Sequence, residues 1–199
     1  MTFSDLIIIL RNTFQTPAGA MRQLQALELP ISARWMALLL AVSLSTLLSA
    51  IVVGLYPQAA HPVLGILMVQ PVVFALLQLG GTTIGAGLLA LLGRAFGGRG
   101  NFADSLLLVA WVELLFLVIQ AVQVLLLLIL PPLSSLLGVV AMIAMIWVMV
   151  RMVQELHGFS NAVLVLLGLI FGTFLAVLIL SVLAAALGFM PDLPPEMLQ

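Results

Sequence analysis

The chain has 199 residues, 64% of them hydrophobic and only 7% charged, and its six basic residues nearly balance seven acidic ones. A soluble domain is roughly 45–50% apolar and about 25% charged, so a water-soluble fold, a disordered chain and a nucleic-acid binder are all excluded. The six bases are all arginine, and the absence of cysteine removes disulfides, catalytic thiols and thiolate metal sites.

Residues 1–34 are too few to bury a core of their own. They begin with Asp5 and a short apolar run, Leu6–Leu10, which is not the pattern of a cleaved signal peptide. Thr16-Pro17 starts a short amphipathic helix, with threonine at the N-cap and proline at the first helical position. Met21, Leu24 and Leu27 recur at helical spacing, while Arg22, Gln23 and Gln25 face elsewhere. Such an interfacial helix lies in the headgroup layer or packs on the end of a bundle, and amphipathicity fits both.

A bilayer core of about 30 Å needs around 20 apolar residues per spanning helix, and five stretches qualify. They are 35–56, closed by Pro57, His61 and Pro62; 63–92, long enough to tilt or to start after Gln70-Pro71; 103–130, closed by Pro131-Pro132; 133–150, ended by Arg151; and 162–187, followed by the proline-rich tail 188–199. None alternates polar and apolar residues as outer-membrane strands do. The fold class expected is an all-α integral membrane protein, a five-helix bundle preceded by the interfacial helix.

The loop 93–102 is dense in glycine and carries Arg94 and Arg99. It lacks the preceding strand and the Lys-Ser/Thr pair of a phosphate-binding loop, so it reads as a tight turn, with Asn101 capping the next helix. Its arginines are candidate contacts for anionic lipid. Ser160 is the expected cap of the last span. His157 and Glu155 are too few for a metal site, and Met142, Met145, Met149 and Met152 read as packing.

Inside the third span, ten residues from its start, Glu113 is expected near the midplane, where a carboxylate costs roughly 2.5–3.5 kcal/mol and must face the bundle. Gln120 shares its face, with Gln123 near it. A hairpin centred near residues 98–99 sets Thr83 opposite Glu113 and Gln78 opposite Gln120. These five residues form a candidate polar seam, either glue between helices or, in the alternative, the path of a small transporter or channel. Gly81 and Gly85 on one helix, and Gly168, Gly172 and Ala176 on another, are candidate close-packing positions.

All six arginines fall on one side of a five-span arrangement and none on the other, which carries Asp192 and Glu196. This is a strong positive-inside signal: N-terminus cytoplasmic, C-terminus outside.

The layout and two local stretches, Leu91-Leu92-Gly93 through Gly97-Gly98-Arg99-Gly100-Asn101-Phe102 and Glu155-Leu156-His157-Gly158-Phe159-Ser160, resemble the bacterial members of the Ypt-interacting-protein (Yip) family. The resemblance implies a polytopic protein with no known reaction, in a bacterial inner membrane. Eukaryotic relatives act in vesicle traffic, bind prenylated Rab-type GTPases and associate with one another. The segment before the first span holds no Asp-Leu-x-Gly-Pro-like motif, so GTPase binding carries over to no residue here. No nucleophile–base pair follows from the spacing. The expectation is a non-enzymatic scaffold or membrane-organising protein, without cofactor, metal or catalytic residues. Its partners would be the lipid bilayer and other membrane proteins or further copies of itself; no nucleic acid and no small-molecule substrate is assigned.

Overall fold

The structure, a computed structural model, describes residues 3–55 and 70–187. Within them run α1 (Phe3–Gln15), α2 (Pro17–Ala26), α3 (Ile31–Leu55), α4 (Pro71–Ala95), α5 (Phe102–Ile129), α6 (Pro131–His157) and α7 (Ala162–Ala186). No strand occurs among the described residues. Helices α3 to α7 are each long and apolar enough to cross a membrane. The protein is therefore an all-helical, multi-pass membrane protein. The expected first part of the second span (63–69), the turn residues Pro57, His61 and Pro62, and the tail 188–199 lie outside the described residues.

Local chemistry sets most helix ends. Proline opens α2, α4 and α6, where its missing N–H is no loss. Thr16 stands at the N-cap of α2, but its hydroxyl turns back toward the Asn12 carbonyl instead of capping. At α5, Asn101 Oδ1 accepts the Asp104 N–H at 2.8 Å, and its Nδ2 donates to Asp104 Oδ2 at 2.9 Å. Several ends differ from expectation, with α3 beginning at Ile31 rather than 35 and α6 at Pro131 rather than 133. Helix α6 continues past Arg151 to His157, because the Arg151 side chain is exposed and donates to Gln154 Oε1 at 3.0 Å. It stops where Gly158 adopts φ +75°, a left-handed conformation suited to glycine. The cap of α7 is Asn161, not Ser160: its Oδ1 accepts the N–H groups of Val163 and Leu164 at 2.9 and 3.2 Å. Ser160 is one residue too early, and its carbonyl is already taken by Gln154 Nε2.

Helix α5 is the hub, packing on α3, α4 and α6, while α7 lies mainly against α4 and touches α6 only lightly. Helices α5 and α6, of 28 and 27 residues, are each about 40 Å long at 1.5 Å per residue and so project roughly 10 Å beyond a bilayer core. The N-terminal helices sit on that projection. Ala20, Met21 and Leu24 of α2 are fully buried in a core shared with α5 and α6, and Arg22 pairs with Glu155 of α6 at 2.8 Å. The apolar face of α2 is thus spent on the bundle rather than on headgroups. Helix α1 is fixed by Thr13, whose hydroxyl accepts the Trp111 indole N–H at 3.0 Å and donates to the Ile9 carbonyl at 2.8 Å. Its Ile7 and Ile8 stay exposed.

Arg22, Arg34, Arg94, Arg99 and Arg151 gather at this end of the bundle, hereafter the arginine end. Arg34 is the buried one. Its Nε donates to the Leu29 carbonyl and its guanidinium pairs with Asp104 at 2.9 Å, tying the start of α3 to the start of α5. Truncating one partner of a buried pair strands the other charge, at about 3 kcal/mol or more, whereas exposed pairs contribute about 0–1 kcal/mol. Asp104→Ala is therefore expected to lower the thermal midpoint of the detergent-solubilised protein far more than Arg22→Ala, whose side chain is 63% exposed. Equal shifts would count against this assignment.

Candidate functional site

A polar network joins α3, α4 and α5. Gln78 Nε2 donates to Glu113 Oε2 at 3.2 Å and lies 3.2 Å from Ser45 Oγ. Gln120 Nε2 donates to Ser49 Oγ at 2.9 Å and to the Ser45 carbonyl at 3.2 Å. The register differs from a hairpin centred at 98–99: Gln78, not Thr83, meets Glu113, because α4 already ends at Ala95 and the turn is centred a few residues earlier. Gln120 turns to α3 instead of α4. Thr83 takes no part in these bonds, while Thr82 returns its hydroxyl to the Gln78 carbonyl at 2.9 Å. Gln123 lies on another face of α5, where its carbonyl accepts from Ser134 Oγ of α6 at 3.0 Å. Carrying that pairing along the antiparallel helices brings Arg151 opposite roughly residue 106 of α5. Glu113 then lies about two turns, roughly 10 Å, inside the Arg151 level.

The glycines divide into two kinds. A Cβ at Gly81 would lie 3.3 Å from Leu180, and one at Gly172 would lie 3.4 Å from Leu92, so these two mark close approach of α4 and α7. Gly85 and Gly168 have nothing within 4 Å of such a Cβ. They border, with Ala176, a cavity of about 800 Å³ between α4, α6 and α7. At this level α6 and α7 touch only lightly and α4 carries no side chain at Gly85.

At the arginine end of this cavity stands His157, only 2% exposed although the sequence suggested a loop position. Its ring is enclosed by glycines. A Cβ at Gly93 would overlap the imidazole, one at Gly98 would lie 2.6 Å from Nδ1, and one at Gly100 would lie 2.5 Å from Cε1. The Gly100 N–H donates to Nδ1 at 3.2 Å and the Arg99 N–H to the His157 carbonyl at 3.2 Å. Phe159 stacks on the ring at 5.4 Å between centroids. Since Nδ1 accepts, the neutral ring carries its proton on Nε2, which is buried and faces the Leu89 carbonyl of α4. The glycine-dense turn and the His-Gly-Phe-Ser stretch are therefore two halves of one junction. Glycine at 93, 98 and 100 was the sequence signal for it, but nothing local says which ring those glycines accommodate.

Met145 and Met152 are buried in the main core. No group of three or more potential His, Asp or Glu metal ligands occurs among the described residues. Arg94 and Arg99 are exposed on either side of the turn.

Comparison with known proteins gives one family match, the Yip1 domain, over residues 11–183. No curated protein and no solved structure matches.

Two outcomes are expected of variants at these positions. Gly93→Ala lowers the thermal midpoint by the equivalent of about 1–3 kcal/mol, the cost of overpacking. In a His157→Ala background the same change becomes neutral or stabilising, because alanine is a better helix former than glycine by about 1 kcal/mol. A penalty of equal size in both backgrounds would contradict the clasp. Glu113→Gln, which can still accept from Gln78, is expected to keep the midpoint within about 1 kcal/mol, while Glu113→Leu strands the Gln78 amide at about 1–3 kcal/mol.

Proposed function

The chain belongs to the Yip1 domain family, and from that membership we propose that it is a non-enzymatic, membrane-organising scaffold of a bacterial inner membrane. The reading places the arginine end in the cytoplasm and the C-terminus on the far side, as the positive-inside asymmetry implies. It treats residues 1–34 as the cytoplasmic segment, 35–187 as the membrane domain and 188–199 as a short tail outside.

One observation carries the proposal: the arginine end is a single interlocked platform. Helices α1 and α2, the α4–α5 turn and the α6–α7 turn are tied together through Thr13–Trp111, Arg22–Glu155, Arg34–Asp104 and the His157 junction. Arg11, Arg22, Arg94, Arg99 and Arg151 are exposed on it. A rigid, cationic surface with adjacent apolar Ile7 and Ile8 suits recognition of anionic headgroups and of other membrane proteins. The alternative, a small transporter or channel along Glu113 and Gln120, is not favoured, because these side chains spend hydrogen bonds on Gln78, Ser45 and Ser49 in neighbouring helices.

Two measurements test the proposal. One-sided reporters fused to the two ends should report opposite compartments; the same compartment for both would overturn the orientation. A photo-crosslinking residue in place of Ala26, exposed on α2, should give discrete protein adducts in native membranes. The same probe in place of Phe174, exposed on α7, should give lipid adducts. Lipid adducts alone at both positions would remove the scaffold role.

A further inference from the structure

The cavity between α4, α6 and α7 does more than fill a gap in packing. Its α4 wall runs from Gly81 to Phe96, about 22 Å at 1.5 Å per residue, or most of a bilayer core. Its lining is overwhelmingly hydrophobic, with Leu88, Leu92, Leu164 and Phe171 among the wall residues. Water does not stably fill an apolar space of this kind, and the medium beside it in a membrane is acyl chain. Its end at the α4–α5 and α6–α7 turns is different. There the walls are His157 and the exposed Ser160 and Asn161. Arg94 stands between Gly93 and Phe96, both lining residues, and Arg99 is bonded through its N–H to the His157 carbonyl. Both arginines are exposed, and neither pairs with a carboxylate among the described residues.

We propose that this cavity is a phospholipid site: one acyl chain of an anionic phospholipid occupies it, with the headgroup at Ser160 and Asn161 beside Arg94 and Arg99. Three features select this occupant. The length and apolarity of the walls fit a hydrocarbon tail. The exposed cations of the adjoining α4–α5 turn complement a phosphate. The width excludes a second helix, because α4 and α7 come into direct contact at Gly81–Leu180 and at Gly172–Leu92, and a helix with its side chains is about 10–12 Å across. Gly85 and Gly168 then have a function distinct from close packing: they keep the channel open where a larger side chain would fill it. The site depends on membrane residence alone and not on the scaffold role, so absence of protein crosslinks would leave it untouched.

The test is phospholipid retention by the full chain purified from native membranes in detergent, read as lipid phosphorus per protein and as headgroup composition. The wild-type protein is expected to keep about one phospholipid per chain, enriched in anionic headgroups over the bulk membrane. Gly85→Leu and Gly168→Leu, which meet no atom at the Cβ position, should keep helicity and a monodisperse elution while losing retention about tenfold, equivalent to about 1.4 kcal/mol. The pair Arg94→Gln and Arg99→Gln should keep a lipid but lose the anionic enrichment. Phosphorus at detergent background in the wild type would overturn the site, as would unchanged retention in both leucine variants. So would a bound free fatty acid in place of phospholipid. A dimer that Gly168→Leu dissociates without changing lipid content would mean a contact between copies instead, and would equally overturn it. Native mass spectrometry of the wild type titrated with phosphatidylglycerol and phosphatidylcholine gives the same answer without any variant: preferential one-to-one binding of the anionic lipid supports the site, and equal binding of the two overturns it.

Discussion

Room for one imidazole decides how the arginine end is built. The ring of His157 can sit against α4 only because Gly93, Gly98 and Gly100 carry no side chain, and it brings two turns together that are far apart in sequence. From that contact follow the end of α6 at Gly158, the path of the turn into α5, and the position from which α7 departs. The histidine here serves as a hydrogen-bond acceptor for the backbone. Its Nδ1 satisfies a backbone N–H that would otherwise be buried without a partner, which is among the more expensive faults a buried turn can have.

The remainder of the bundle obeys the same requirement by other means. Ser45, Gln78, Glu113 and Gln120 join three helices where hydrophobic burial offers no drive for association within lipid. Arg34 and Asp104 close the boundary between α3 and α5, where a cation without a carboxylate would be costly. Side chains that contact nothing polar, such as Phe174 and Ile129, are the exposed surface, and only a hydrocarbon environment makes that surface reasonable.

The helices were legible in the sequence because a membrane span is specified by composition over a long window. The proline starts at 17 and 71 and the cap at Asn101 were legible too, being matters of one residue and its immediate successors, whereas Pro131, read as closing a span, opens the next helix. What could not be read was rotation and register. The hairpin estimate missed by about five residues, enough to exchange Thr83 for Gln78 opposite Glu113. Gln123, three residues past Gln120, turned toward a different neighbour because three residues on a helix are not quite a full turn. Arg151 looked like the end of a span, yet a long side chain on an exposed face lets its helix continue into the interface. Two meanings of a membrane glycine, contact and vacancy, are identical in sequence. Only the partner helix separates Gly172 from Gly168.

The seat of the N-terminal helices has a bearing on biogenesis. Met21 and Leu24 are made well before the surface that covers them, which is built largely from the far end of α6. While the ribosome is still extending the chain, these apolar side chains have no protein to rest on. They must wait on the bilayer or on a chaperone until Val148 and Met152 have emerged, and only then does α2 acquire its final place.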